Sequence, residues 1–318
     1  MGSTFTFREV NEQITMLYQA GDYDGALALA TRHIDDFPER RSEMIYWRLC
    51  MSARVEEAEK PIRILEQALD EGYWFGETVL RESPSLIPLV DIPAYEQLIA
   101  RSAAMAAEDL DQSPELIIIP PEGRKGPLPL LLGLHENVGT SLSARSSWEG
   151  LGKEGYLLAF PSSSQPGFWK GGFIWDNRDI AKQEVSEHFA SVCDQHEVDL
   201  ERVVITGHSM GGQLAIWLAL SRTIKVRGFI AVGPYLPDEE IDTWTELIEA
   251  AKASDMRGVI FLGEKDGDIP HEGVYRLAER LNAAGIACRV EMVPGEGHDI
   301  TPEYQRRFPE ALRFVAGG

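Results

Sequence analysis

Cysteine is scarce: Cys50, Cys193 and Cys288 are the only three in 318 residues, far apart and without a CxxC or Cys/His spacing. An odd number with no framework argues against a disulfide-stapled scaffold and predicts buried free thiols in a reducing compartment. Long apolar runs are missing as well. No stretch is long enough to span a bilayer, and the N-terminus lacks the apolar core of a signal peptide. The opening "MGSTFT" fits a myristoylation pattern through Gly2 and Thr6, but nothing polybasic follows, so the match reads as accidental. A soluble, cytoplasmic protein is expected. Basic residues are also in short supply, with 30 Lys and Arg against 51 Asp and Glu, a net charge of −21. The excess is even: 10 against 21 up to residue 113, and 20 against 30 beyond it. Acidity is therefore a whole-surface property that serves solubility and argues against nucleic acid or an anionic membrane as partner. His33, His188, His196 and His271 show no metal-ligand spacing, so neither a metal nor another cofactor is expected.

What is present is an ordinary globular balance, 44% hydrophobic and 25% charged, enough for a sizeable core. Up to about Met105 the apolar residues recur every three or four positions, as in "VNEQITMLYQAG", "DGALALATRHIDDF" and "IRILEQALDEG". Gly21 and Gly72 stand where helix ends are expected, and Pro38 follows a helical stretch. "LYQAGDYDGALALATRHIDDFP" resembles one tetratricopeptide unit, two helices about a Gly-Asp turn. Such domains bind peptides or pack on a neighbour, and the want of a repeat series favours packing. A protein partner or a second copy of the chain, taken through this helical half, stays open.

After "SAAMAAEDLDQSP" the pattern changes. "ELIIIP", "PLLLGLHE", "YLLAFP", "RVVITG", "GFIAVGP", "GVIFLGE" and "CRVEMVPG" are short apolar runs bounded by Gly or Pro, mostly separated by helical stretches. That alternation predicts an α/β fold with a mostly parallel sheet covered by helices, preceded by a small all-α domain. The boundaries read as 1–110 for the helical domain and 111–318 for the α/β one. Ligands of such sheets bind outside the carboxyl ends of the strands.

One of those strand ends carries "VVITGHSMGGQLA". A strand that turns at once into a helix forces the residue at the bend into a strained conformation, and Gly207 and Gly211 leave room for it. The result is a nucleophile elbow with the Ser209 hydroxyl exposed at the sheet edge. The bland alternative, a helix N-cap, has no need of the flanking glycines. A serine needs a base to take its proton, and the base needs an orienting carboxylate. Asp266 in "GEKDGDIP" and His298 in "VPGEGHDI" follow in that order, each just past an apolar run. Asp268, two residues on, and Asp238, after the preceding strand, are the competing acids.

From about Glu115 onward the chain resembles an α/β-hydrolase, in the esterase, acyl-thioesterase and peptidase branches, through "DLERVVITGHSMGG", "GEKDGDIP" and "VPGEGH". The resemblance implies Ser209 as nucleophile, His298 as base and then acid, and Asp266 as orienting carboxylate, since Asp266-x-x-Ile269-Pro270 fits the family's acid motif best. It also implies an oxyanion hole, each donor worth about 3 kcal/mol in the transition state. One donor is the N–H of Met210. The other falls at Asn137, because "GLHENVGTS" keeps His135 of the family's His-Gly-x-Gly but puts Glu136 in place of the first glycine. Only a backbone N–H is required there. The Glu136 carboxylate is expected to turn away from the site, toward solvent or a local N–H or cationic partner.

The run between "GFIAVGP" and "GVIFLGE" is too short for a large helical lid. "SSSQPGFWKGGFIWDN" carries Phe168, Trp169, Phe173 and Trp175 on a polar loop, so Phe168, Trp169 and Trp175 are candidate acyl-pocket walls or buried loop anchors. Tyr235, Leu236 and Trp148 are weaker candidates. The expected function is a serine hydrolase, a carboxylesterase cleaving small-molecule esters of short or medium acyl chain through an acyl-enzyme. A thioesterase or serine peptidase would use the same triad. A non-enzymatic adaptor with an inert hydrolase fold is the contrasting reading, and the intact Ser, Asp, His order speaks against it.

Overall fold

The computed structural model describes residues 5–109, 114–252 and 254–317. Gly2 and the boundary expected at 110 therefore lie outside the described residues. Two compact units emerge: Met1–Gln112 with Pro166–Gly172, and Ser113–Gln165 with Phe173–Gly318. The expected division at 110 placed Pro166–Gly172 in the second domain; instead this segment groups with the helices.

The first unit is all-helical: α1 (Phe7–Gln19), α2 (Tyr23–Arg32), α3 (Arg41–Val55), α4 (Glu59–Asp70), α5 (Glu77–Glu82) and α6 (Pro93–Glu108). Local chemistry sets several of its helix starts. Thr6 and Glu9 form a capping box on α1, Asp22 accepts from Gly25 N on α2, and Pro93 opens α6. Buried Ile14, Met44, Leu49, Leu65, Phe75 and Tyr95 belong to a single apolar core. The segment Pro166–Gly172 adds Trp169 to it: the indole lies 5.3 Å from the Tyr46 ring, and Trp169 bridges Phe75. Backbone bonds from Gly76 N to Phe168 O (2.7 Å) and Lys170 N to Trp74 O (3.0 Å) hold it there. These contacts are why the segment groups with the helices.

The second unit runs β1 (Leu116–Ile119), β2 (Leu128–Leu134), α7 (Ser141–Trp148), β3 (Leu157–Pro161), α8 (Arg178–Gln195), β4 (Val198–His208), α9 (Met210–Leu220) and β5 (Gly228–Val232). It continues through α10 (Asp238–Thr243), α11 (Thr245–Ala251), β6 (Arg257–Gly263), α12 (His271–Ala283), β7 (Ala287–Val293) and α13 (Pro302–Ala316). The seven strands are the seven apolar runs of the sequence. They form one sheet in the order β1-β3-β2-β4-β5-β6-β7, parallel apart from β1 against β3. A strand such as Gly228–Val232, buried at every position, needs cover on both faces. Two apolar clusters supply it, one with α8, α9 and α12, the other with α7 and α13. Between β5 and β6, among the described residues, stand only the two short helices α10 and α11. Among the described residues no helix is long and apolar enough to cross a membrane.

Candidate active site

The strand β4 ends at His208 and the helix α9 starts at Met210, leaving Ser209 alone on the bend with φ 51° and ψ −118°. A non-glycine residue at positive φ is strained and persists only where its surroundings over-determine it. Here the Ser209 N–H donates to Val232 O (2.9 Å), and its carbonyl accepts from Gln213 N (3.0 Å). A side chain on Gly207 would collide with the Gly211 backbone, and one on Gly211 with the carbonyl of His135. The hydroxyl caps nothing and makes no hydrogen bond among the described residues. That disposes of the N-cap alternative.

The loops after β6 and β7 bring Asp266 and His298 together at the same carboxyl edge. Nδ1 of His298 donates to Oδ2 of Asp266 at 2.8 Å, and the Asp266 side chain is fully buried. Its other oxygen accepts from Asp268 N at 3.1 Å. The end of β5 lies against this pair, since a Cβ on Gly233 would sit 3.0 Å from Nδ1 of His298. Burial alone would lower the His298 pKa, but the hydrogen bond and charge of Asp266, with Asp268 and Asp299, outweigh it and hold the imidazole above its ordinary value. Burial works to raise Asp266, yet the His298 bond and charge, the Asp268 N–H and His271 hold it below the usual carboxylate range. Of the competing acids, Asp268 is exposed and Asp238 is paired with Arg276 at 2.7 Å. Asp266 alone is hydrogen-bonded to the imidazole among the described residues.

Across from the elbow lies the loop after β2. His135 is wholly buried, donates from Nδ1 to Glu136 O (2.8 Å) and accepts at Nε2 from Ser163 N (3.1 Å). A carbonyl only accepts and an amide only donates, so the ring is neutral with its proton on Nδ1. Burial drives its pKa down to about 4, against the pull of the Glu136 carbonyl and charge. The same Glu136 carbonyl accepts from Gly139 N (3.0 Å), closing a tight turn in which Val138 adopts φ 57°. Asn137 sits exposed on this turn. Met210 is the first residue of α9, where backbone N–H groups have no partner within the helix. The Glu136 carboxylate accepts from Ser143 Oγ (3.1 Å) at the start of α7, which Thr140 caps. A hydroxyl on the following helix is thus among its partners.

The aromatic candidates separate. Trp175, expected as a pocket wall or anchor, is 3% exposed: its ring stacks on His135 (centroids 4.6 Å) and its Nε1 donates to His135 O at 3.1 Å. It braces the turn that carries Asn137, as a buried anchor would. Phe168, 37% exposed, and Trp169 are described with the helical unit, where Trp169 is a packing residue. Tyr235, 51% exposed just past β5, remains at the functional edge of the sheet. Leu236 and Trp148 are core, Trp148 stacked on Phe308.

Two neighbours of His298 carry no motif in the sequence. Tyr304 Oη donates to Gly297 O (2.8 Å), and His208 Nε2 donates to His298 O (2.8 Å). His208 occupies the variable position of Gly-x-Ser-x-Gly, where any residue satisfies the pattern.

Comparison with known proteins agrees with this topology. The alpha/beta hydrolase fold family matches residues 158–303. A protein of Escherichia coli (strain K12) named "Putative carboxymethylenebutenolidase" is 25% identical over 206 residues, 60% of this chain and 74% of that one. Acyl-protein thioesterase 1 of Gibberella zeae is 28% identical over 132 residues, 40% of this chain and 55% of that one. The crystal structure of an uncharacterized protein from Bacillus cereus ATCC 10987 covers 98% of this chain and 99% of its own, with TM-score 0.55 and 22% identity. The second unit has the α/β-hydrolase fold.

Proposed function

We propose that the protein is a serine hydrolase that cleaves carboxylic esters of short or medium acyl chain through an acyl-enzyme. The observation that carries the reading is Ser209, held at φ 51° on the strand–helix bend at the sheet edge that also bears the His298–Asp266 pair. In this reading Ser209 Oγ attacks the ester carbonyl while Nε2 of His298 takes its proton. Asp266 fixes the ring through Nδ1–H and stabilises the imidazolium. The N–H groups of Met210 and Asn137 receive the oxyanion, the imidazolium protonates the departing alkoxide, and water repeats the sequence on the acyl-enzyme. The named activity of the Escherichia coli relative supports ester chemistry. The Gibberella zeae likeness favours a second reading, a thioesterase on the same triad. In the helical unit a tetratricopeptide-like packing role accords with a core that takes in Trp169.

The test is a panel of esters, thioesters and aminoacyl amides of graded acyl length, run beside Ser209→Ala. Short and medium esters should be the best substrates, and Ser209→Ala should abolish both hydrolysis and labelling by a fluorophosphonate without unfolding the protein. Full activity in a clean Ser209→Ala preparation sinks the reading, and a preference for thioesters selects the second one.

A further inference from the structure

We propose that His208 is a positioning residue that fixes the His298 imidazole by holding the peptide carbonyl of His298 itself. The inference rests on the triad reading for its consequence in catalysis, but its geometry stands apart from it.

His298 lies on a loop after β7, and a loop residue keeps one ring orientation only if its backbone is tied down. Two side-chain donors do this on successive carbonyls. Tyr304 Oη binds the carbonyl of Gly297, just before His298, and His208 Nε2 binds the carbonyl of His298 at 2.8 Å. With Nδ1 of His298 on Asp266, the residue is held on both flanking carbonyls and at the ring. His208 is itself immobile: it is the last residue of β4, 8% exposed, and registers with Val232 of β5. The rigid strand that delivers Ser209 therefore also delivers the donor that sets His298. Nucleophile and base are then referred to one element.

A donor placed so close to the base must not carry charge. The His208 and His298 rings lie 4.8 Å apart at 42°, so an imidazolium at 208 would oppose the one that forms at 298. A carbonyl acceptor fixes the proton of neutral His208 on Nε2. The charged and titratable groups that act on His208 are His298 and Asp299 of the β7 loop and Glu136 of the β2 loop. Burial and His298 lower its pKa more than Glu136, Asp299 and the carbonyl bond raise it, so the ring stays neutral.

The test compares His208→Phe, which keeps an aromatic ring but no donor, with His208→Gln, whose amide N–H can reach the place of Nε2. Two readouts are taken on parent and variants: steady-state kinetics, and the titration of the His298 ring followed by NMR. In His208→Phe, kcat should fall about tenfold to a hundredfold while KM changes by less than about threefold. The His298 midpoint should fall toward the ordinary imidazole value, because a slack loop weakens the Asp266 bond that outweighs burial. His208→Gln should recover most of both. An unchanged midpoint with parent-like kcat in His208→Phe overturns the proposal. So does an equal loss of kcat in both variants with the midpoint unmoved, which is the mark of a packing role. If the parent itself shows no Ser209-dependent hydrolysis while the midpoint moves as expected, the esterase reading fails and the positioning role stands.

Discussion

In the proposed mechanism it is a neutral His298 imidazole that takes the proton from Ser209, so the charges around that ring would set the pH at which hydrolysis begins. Its pKa is raised above the ordinary value of about 6.5, so kcat/KM should fall as pH drops through a midpoint above that figure. Asp266 and Asp268 both contribute, yet differently. Asp266 is a buried hydrogen-bond partner, whereas Asp268 acts on the ring only through its charge, from an exposed position. Asp266→Asn should therefore cost about four orders of magnitude in turnover, through loss of the proton placement on the ring. Asp268→Asn should leave turnover at alkaline pH near the parent and move the acidic limb down by roughly a few tenths of a pH unit, less in high salt. A dead Asp268→Asn enzyme with a live Asp266→Asn one would reverse the assignment. The pairing of Asp266 with His298 was legible in the sequence because each lies just past an apolar run, in the order the proposed site needs. His208 was not: its acceptor is a carbonyl 90 residues away, and a backbone acceptor leaves no trace in residue type.

Among elements, the turn between β2 and α7 shows how a departure from a motif is absorbed. Glu136 replaces a glycine, and the structure answers with a carbonyl that accepts from both His135 and Gly139, and a carboxylate bound by Ser143. Gly139 for the turn and a Thr or Ser cap for the next helix could be expected from "NVGTSLS", and Thr140 fills that role. The left-handed Val138 and the brace from Trp175 could not. An indole among four aromatics on a polar loop gives no sign of which ring turns inward, and here the buried N–H found the His135 carbonyl. The turn is also tightly filled. A Cβ on Gly139 would lie 2.8 Å from Glu136 O and 2.9 Å from its Cδ. Gly139→Ala must therefore open the turn and shift the Asn137 N–H. The expected cost is about a hundredfold in kcat, with KM much less affected, because a displaced oxyanion donor weakens the transition state alone. Melting curves should show the fold intact. Parent-like turnover in Gly139→Ala would mean that the Asn137 N–H is not a donor to the oxyanion.

At the scale of the molecule, the strand–helix alternation and the change of periodicity near residue 110 were legible, but the membership of Pro166–Gly172 was not. The segment follows a β-strand in sequence and looks like an active-site loop; its partners are Tyr46, Trp74, Phe75 and Ser42, more than ninety positions earlier. Pairing at such separation leaves no local periodicity to read. It does make removal of the helical unit consequential. A fragment that lacks residues 1–110 would keep Pro166–Gly172 but lose the Tyr46 ring, the Phe75 bridge and the Ser42 hydroxyl that donates to Lys170 O at 2.8 Å. Exposing the covered part of the Trp169 ring alone would cost roughly 3 kcal/mol at about 25 cal/mol per Å². The ends of the segment continue directly into Gln165 and Phe173, whose own backbone bonds reach Ile174 and Gly139 in the second unit. The fragment should be poorly soluble, or melt well below the full chain, with turnover reduced on every ester. Trp169→Ala in the full-length protein should reproduce a milder form of the same effect, a lower melting temperature and a similar loss on short and long acyl chains. A soluble fragment with parent kinetics would make the helical unit an independent module. A Trp169→Ala enzyme that changed only its chain-length preference would return that indole to the substrate pocket.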